Sequence, residues 1–208
     1  MATTRSARSA RLTRSARLTR AERTAQTRRE LLDVAQRRFF RDGYHRTTLD
    51  DIADEAGYTK GAVYSTFKSK GGLFLALFDE VVDRRVEDIR RLLAPHGTDD
   101  EKIAALAAQP PDARNARFLL LSIEFWAQAA REPALRDGFA ASYGRLRAKL
   151  AELAPVGGAL DAEDWAVATI ALANGLALER LIDPDGVPDD LMASVQRRIL
   201  GPGSFPAG

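Results

Sequence analysis

Residues 48–67 constrain the fold of this chain most, because they read as two short helices joined by a tight turn. Thr48 predicts an N-cap, since its hydroxyl can accept a hydrogen bond from a backbone N–H near Asp51. Gly57 predicts the left-handed residue that commonly ends a helix. Thr59 offers a second cap. The sequence therefore predicts a helix, a turn and a second helix in immediate succession.

Each of these two helices has one apolar face. In the first, apolar residues recur at helical spacing at Leu49, Ile52, Ala53 and Ala56. In the second, Val63 and Phe67 lie four residues apart and can anchor the helix on a core. Its other face carries Lys60, Gly61, Tyr64, Ser65 and Thr66. A short polar face of this kind suits a DNA major groove.

The run from Arg28 to Asp83 resembles the N-terminal domain of TetR-family transcriptional regulators. The matching residues stand at the family's spacing without a gap: Leu31, Ala35, Phe39, Gly43, Tyr44, Thr47, Thr48, Ile52, Ala53, Ala56, Gly57, Lys60, Gly61, Tyr64, Phe67, Lys70 and Leu73. The alternative is an αα-hairpin in some other helical protein. The resemblance implies an all-α fold, in which a three-helix DNA-binding domain with a helix-turn-helix precedes a helical domain for ligand binding and dimerisation.

The resemblance also implies which residues contact DNA. By position, the residues that face base edges or nearby phosphates are Lys60, Gly61, Ala62, Ser65 and Thr66. The implied phosphate contacts are Thr48, Tyr64 and Lys70, and Thr47 and Thr59 complete the DNA-binding set. Ser65 and Thr66 are smaller than the aromatic or histidine residues common there in the family, which weakens the case for base reading through them.

An arginine-rich arm precedes this domain. Residues 1–30 hold nine Arg and two Glu, a net charge of +7, so the rest of the chain carries −5 within the total of +2. Within the arm the segment SARLTR occurs twice, and Arg recurs every third residue from Arg5 to Arg23. With few apolar groups the arm is expected to be disordered alone. It either contacts DNA phosphates or a minor groove, or is a solvated tail; a transit peptide has a similar composition.

The predicted domains are a disordered arm at 1–23, the DNA-binding domain at 24–84, an effector-binding and dimerisation domain at 85–200 and a disordered tail at 201–208. A Thr27–Glu30 capping box should open the first helix, which ends near Gly43. Ser69 should cap a helix to about Leu93, whose first turn is weakened by Gly71 and Gly72. Further helices are predicted at about 100–109, 112–131, 134–153, 162–182 and 188–200.

Several kinds of site are excluded by composition. The chain has no cysteine and only two histidines, so a metal centre or a thiol chemistry is not expected. It has no Gly-rich phosphate loop and no nucleophile elbow, so we expect neither a cofactor nor enzyme activity. No apolar run reaches the roughly 20 residues that span a bilayer, and a secretory signal is lacking. A cytoplasmic protein that does not bind membranes is expected.

The second half is rich in aromatic residues that permit two interpretations. They are either core packing or the lining of an apolar cavity with a few polar groups. The resemblance favours a cavity for an apolar or amphipathic small-molecule effector. Its candidate residues are Phe118, Ser122, Phe125, Trp126, Phe139, Tyr143, Trp165 and Asn174.

Small residues recur in the helix at 162–182, namely Ala166, Ala168, Ala171, Ala173, Gly175 and Ala177. They allow close helix approach, either inside one chain or across a dimer. In the family the last two long helices form the dimer interface, and a two-fold dimer suits a palindromic operator. The sequence is thus interpreted as a DNA-binding regulator, a repressor released by its effector. The alternative is an architectural, sequence-tolerant DNA-binding protein without an effector.

Overall fold

The structure, a computed structural model, describes residues 19–98, 101–102, 105, 113–154 and 160–200. Within these ranges the chain forms helices and no strand, which confirms the predicted all-α class. The helices are α1 (Arg20–Arg46), α2 (Leu49–Ala56), α3 (Lys60–Phe67), α4 (Lys70–Leu93), α5 (Ala113–Ala129), α6 (Pro133–Ala151), α7 (Ala162–Ile182) and α8 (Leu191–Leu200). Most of the helix predicted at 100–109, residues 1–18 of the arm and the tail at 201–208 lie outside the described residues.

Helix α1 begins two turns earlier than predicted. Its cap is Thr19, whose hydroxyl accepts from the Glu22 N–H at 3.2 Å while the Glu22 carboxylate accepts from the Thr19 N–H at 2.7 Å. The capping box predicted at Thr27–Glu30 is therefore wrong, and so is disorder for residues 20–23. Two Thr-x-x-Glu patterns occur eight residues apart in the sequence. The Ala, Arg and Gln residues between them favour a helical conformation, so helix α1 begins at the earlier pattern.

Gly43 breaks α1 near the predicted end. Its φ of +80° is a left-handed value that favours glycine, and the helix resumes behind it to Arg46. The Thr47 hydroxyl donates to the Gly43 carbonyl oxygen at 2.8 Å. Behind the break, the Tyr44 ring is buried and stacks on Phe39 with 5.7 Å between centroids. This kink directs the chain into α2.

The contacts divide the chain into two compact units between Leu73 and Phe74. This point lies within α4, earlier than the predicted boundary after residue 84. A continuous apolar stripe runs through α4, so the sequence offers no break that marks a boundary there.

The core of the first unit includes the apolar faces predicted for α2 and α3. The buried residues are Leu31, Ala35 and Phe39 of α1, Ile52 and Ala53 of α2, and Val63 and Phe67 of α3. At the surface, Arg38 Nε donates to the Glu55 carboxylate at 2.5 Å and ties α1 to α2.

A tight turn joins α3 to α4. Lys68 takes a φ of +67°, and the Ser69 N–H donates to the Phe67 carbonyl oxygen at 2.8 Å, which closes a γ-turn. Ser69 caps α4 as predicted, accepting from the Gly72 N–H at 3.0 Å. A Cβ on Gly72 would lie 2.2 Å from the Phe67 carbonyl oxygen. Glycine at 72 is therefore required by the space beside Phe67, although it is a weak helix former.

The second unit packs α5, α6 and α7 against one another and α8 against α7. Helix α4 contributes a buried stripe that includes Phe74, Leu77 and Phe78. Two ion pairs link α4 to α6, namely Asp79 with Arg145 and Asp83 with Lys149, and a third joins Arg90 to Glu152, the residue that follows α6.

Helix α7 is apolar but poorly covered. By length and composition it could cross a membrane, and 11% of the residues in its most apolar window are fully buried, while the others are half-buried or exposed. The expectation that no segment is apolar enough to span a bilayer is therefore wrong by these two criteria. One such helix is weak evidence for a membrane span.

The γ-turn gives a stability prediction for Gly72→Ala. Because the added methyl would collide with the backbone of Phe67, we expect the variant to be destabilised by about 1–3 kcal/mol. Gly61→Ala is the matched control, since its Cβ would meet no atom closer than 3.9 Å. Replacing that helical glycine should stabilise the protein by up to about 1 kcal/mol. Urea unfolding followed by circular dichroism measures both, and equal midpoints would contradict the steric argument.

Candidate nucleic-acid interface

The helix-turn-helix is built from the caps that the sequence predicts. Thr48 accepts from the Asp51 N–H at 3.1 Å, and the Asp51 carboxylate accepts from the Thr48 N–H at 3.1 Å. The Thr48 hydroxyl also donates to Asp51, which lowers the pKa of that carboxyl. Gly57 ends α2 with a φ of +69°. Thr59 then caps α3 by accepting from the Ala62 N–H at 3.2 Å.

Helix α3 exposes the face predicted to contact DNA. Val63 and Phe67 point into the core, with 0% and 5% of their surface exposed, whereas Tyr64 remains 49% exposed. Lys60, Gly61 and Ser65 are exposed as well, and Ala62 and Thr66 are half-buried. The structure thus brings the predicted α3 residues together on one side of a buried anchor.

The two hydroxyls on α3 already have partners inside the helix. Ser65 and Thr66 both donate to the Ala62 carbonyl oxygen, at 2.9 and 2.8 Å. Their lone pairs can still accept, but a new donor contact to a base would require the hydroxyl to leave Ala62. These contacts agree with the weak case for base reading at the two positions.

Lys60 pairs with a side chain of the preceding helix. Its ammonium contacts the carboxylate of Asp50, in the first turn of α2. The hydrogen bond to Asp50 raises the pKa of Lys60 above its ordinary value. This pair could not be predicted from the sequence, because Asp50 and Lys60 lie on different helices and no local pattern joins them.

Thr47 and Lys70 serve contacts inside the protein. The Thr47 side chain is buried and donates to the Gly43 carbonyl oxygen, which corrects the expectation that it contacts DNA. The Lys70 ammonium donates to the carbonyl oxygens of Tyr44 and His45, at 3.0 and 3.3 Å, and lies 4.4 Å from the centre of the Tyr44 ring. These contacts favour a structural role for Lys70 instead of a phosphate contact.

In the second unit the structure gathers most of the predicted effector residues into one aromatic cluster. Its members are Phe74, Phe78, Phe118, Phe125, Trp126, Phe139 and Tyr143, whose ring centroids lie 4.3–6.0 Å apart in the contacting pairs. Phe74 and Phe125 are fully buried, whereas Phe118, Trp126, Phe139 and Tyr143 are half-buried. In each contacting pair the two rings pack directly against each other. The predicted set of aromatic residues is thus found as a packed cluster in which four rings remain partly accessible.

The polar residues predicted with the cluster have mixed placements. The Asn174 amide donates to the Tyr143 hydroxyl at 3.2 Å, so it adjoins the cluster. Burial raises the pKa of Tyr143. The Ser122 hydroxyl donates to the Phe118 carbonyl oxygen within α5, at 2.8 Å, and Trp165 is buried near the start of α7. The indole N–H of Trp126 is buried without a hydrogen-bond partner.

Two open surface grooves of about 260 and 270 Å³ are lined neither by α3 nor by the rings of the aromatic cluster. The first is lined by α1 and α2, including Asp33 and Glu55, and the second by α6 and Glu163 of α7. Among the described residues, no group of His, Cys, Asp and Glu could hold a metal ion.

Two family models match this chain. Residues 31–77 match the model described as "Bacterial regulatory proteins, tetR family", which includes α2 and α3. Residues 103–201 match "BetI-type transcriptional repressor, C-terminal".

Similar proteins span most of the chain. The HTH-type transcriptional regulator TtgR of Pseudomonas putida is 30% identical over 196 residues, which cover 84% of this chain and 88% of TtgR. A TetR-family regulator from a Rhodococcus species has the same fold, with a TM-score of 0.66 at 20% identity over 85% of this chain and 100% of that one. A regulator from Saccharomonospora viridis, solved in complex with choline, has a TM-score of 0.61 at 22% identity over 88% and 99%. The chain therefore belongs to the TetR family and is a DNA-binding transcriptional regulator.

Proposed function

We propose that this regulator is a repressor that reads a palindromic operator with α3 and is released by a small molecule. The observation that carries the proposal is the exposed polar face of α3, which stands on the buried anchors Val63 and Phe67. The match to the model for BetI-type repressors supports repression instead of activation. A DNA target implies that the protein works in the cytoplasm, and we assign it no catalytic role.

Gly61 leaves the start of α3 open for DNA. The nearest atom to a Cβ built there is Thr59 Oγ1 at 3.9 Å, so the protein does not fill this space. Without a side chain at 61, backbone N–H groups of the helix start can approach phosphate oxygens or base edges. The positive end of the helix dipole favours such an approach by phosphate. We therefore place DNA beside Gly61 in the bound state.

We expect Gly61→Leu to fold normally and to lose operator preference, because a Cβ there meets no protein atom closer than 3.9 Å, whereas the side chain would meet DNA. The ratio of affinities for operator and scrambled duplexes should fall about tenfold or more, since a good base contact contributes about 1–3 kcal/mol. Binding to scrambled DNA should change little. Fluorescence anisotropy across a salt titration measures both affinities, with an operator selected by the wild-type protein from a random-sequence pool.

Gly61→Leu is compared with a deletion of residues 1–18. The deletion removes five Arg residues and keeps the Thr19 cap of α1. We propose that the arm contacts phosphates. Its loss should weaken both complexes by similar factors and reduce the salt slope by about 0.9 for each lost contact. An unchanged slope would mean that the arm is a solvated tail. A wild-type protein that selects no sequence would instead favour the architectural alternative.

Helix α7 supports a homodimer. Val167, Leu181 and Ile182 are large apolar residues that are exposed in the single chain, and Ile182 is 86% exposed. Ala171 and Gly175 continue the exposed face of Val167 at helical spacing and are small enough to let a second helix approach closely. Dimerisation through α7 and α8 would cover this apolar face. It would also present two copies of α3 to successive major grooves about 34–36 Å apart, or a multiple.

We expect Gly175→Leu to produce monomers, because a side chain there would hold the two helices apart. A Cβ at Gly175 meets nothing within 4 Å in the single chain, so folding should be preserved. Gly144→Leu on α6 is the matched control, since its Cβ also meets nothing within 4 Å. Light scattering at micromolar concentration should give a dimer for the wild type and the control only. A monomeric wild type would refute the proposed dimer.

The aromatic cluster is the proposed effector site. Four of its rings keep an accessible side, and the Trp126 indole N–H lacks a partner although it is buried. Leaving a buried donor unsatisfied costs about 1–3 kcal/mol. An amphipathic molecule that inserts a ring between these side chains and offers an acceptor to Trp126 would replace the lost ring contacts and satisfy the donor. Because the rings are closed on each other, binding must separate them, which gives a route to a second conformation.

We expect an amphipathic effector found by operator displacement to weaken operator binding by about 5–150-fold, the usual range of allosteric coupling. Trp126→Leu should reduce the affinity for that compound about tenfold or more, because it removes both the ring and the N–H donor. Leu120→Ala is the control, since Leu120 lies on the same helix and is 47% exposed. Calorimetric titration measures the affinities. Equal losses in the two variants would exclude the cluster as the site.

A further inference from the structure

The ion pair between Asp50 and Lys60 joins the two helices of the helix-turn-helix at their DNA-facing ends. Lys60 is the first residue of α3 and the only charged residue in that helix. Asp50 lies in the first turn of α2 and contacts the Lys60 ammonium directly. The same ammonium also feels the negative charge of Asp54, at longer range.

Folding stability does not account for this pair. The side chains of Lys60 and Asp50 are 61% and 43% exposed, and ion pairs with such exposure contribute little to stability. A cation at the first residue of a helix also lies at the unfavourable, positive end of the helix dipole. Without the Asp50 carboxylate, the positive end of the helix dipole would therefore repel the Lys60 ammonium from the start of α3. The main effect of the ion pair is therefore to fix the position of the Lys60 ammonium.

Holding the ammonium has two consequences for DNA binding. An ammonium has three N–H donors, so one contact to Asp50 leaves two for acceptors such as the N7 and O6 atoms of guanine. The neighbouring carboxylate also offsets the positive charge and repels phosphate oxygens. Lys60 thus attracts the backbone of any DNA less strongly than a free lysine would.

We propose that Asp50 is a positioning residue that gives the recognition helix part of its sequence preference. It directs the Lys60 ammonium toward base edges and withholds its charge from non-specific phosphate contacts. This inference rests on the proposed role of α3 as the recognition helix. It adds a specificity determinant on α2 that acts only through Lys60.

The test compares Asp50→Asn with Asp54→Asn. Both variants remove one negative charge from α2, but only Asp50 contacts Lys60. Affinities are measured by anisotropy on an operator selected by the wild-type protein and on its scrambled duplex. We expect Asp50→Asn to bind scrambled DNA more tightly, with a salt slope steeper by about 0.9, and to lose about tenfold in the operator-to-scrambled ratio. Asp54→Asn should leave the ratio unchanged.

Two further variants separate positioning from a general effect of charge or folding. Asp50→Glu keeps the carboxylate, so its operator-to-scrambled ratio should stay within about threefold of the wild-type value. Loss of a good base contact would change the ratio by more than this. In a Lys60→Gln background, Asp50→Asn should no longer change the ratio. Thermal melts of every variant check that the helix-turn-helix remains folded.

The outcomes distinguish this inference from the function on which it rests. A wild-type protein that selects no operator refutes both. If the wild-type protein selects an operator but Asp50→Asn and Asp54→Asn have equal operator-to-scrambled ratios, only the role of Asp50 is refuted. A full effect of Asp50→Asn in the Lys60→Gln background also refutes it, because Asp50 would then act without Lys60.

Discussion

The burial of Val63 and Phe67 is the constraint on which the DNA-reading surface depends. Helix α3 has only eight residues, and so short a helix is not stable in water by itself. Its Thr59 cap and these two anchors must therefore hold it in place. Phe67 has further contacts at the end of α3, since its carbonyl oxygen closes the γ-turn and its ring lies 5.2 Å beneath the Arg28 guanidinium. Any change that moves Phe67 thus also moves the face of α3 that is open to DNA.

Three basic side chains near the helix-turn-helix have partners inside the protein. Lys70 binds two carbonyl oxygens at the end of α1, Arg38 pairs with Glu55, and Lys60 pairs with Asp50. A protein arranged in this way presents fewer uncompensated cations to phosphates than its sequence suggests. If the arm contacts phosphates as proposed, the five Arg residues among residues 1–18 would supply non-specific affinity. A division of this kind, with phosphate contacts from the arm and base contacts from α3, favours discrimination between DNA sequences by α3.

Local patterns predicted the helix-turn-helix well, because each cap acts on residues within four positions. Thr48, Gly57, Thr59 and Ser69 were all assigned correctly for this reason. The errors concern choices that the whole fold makes. The start of α1 depended on which of two similar capping patterns prevails, and the burial of Thr47 follows from the kink at Gly43. The aromatic cluster was predicted as a set, but periodicity cannot tell whether rings enclose a space or fill it.

Helix α7 shows how an incomplete burial carries information about assembly. An apolar helix of 21 residues that leaves Val167, Leu181 and Ile182 exposed is unfavourable in water, which favours a second surface that covers these side chains. A membrane could do so, but Glu163, Asp164, Glu179 and Arg180 place charges near both ends of the helix and shorten its apolar length. A second copy of the same helix requires no such length. It can also pack closely against the exposed small residues, and its two-fold symmetry is the symmetry that a palindromic operator demands.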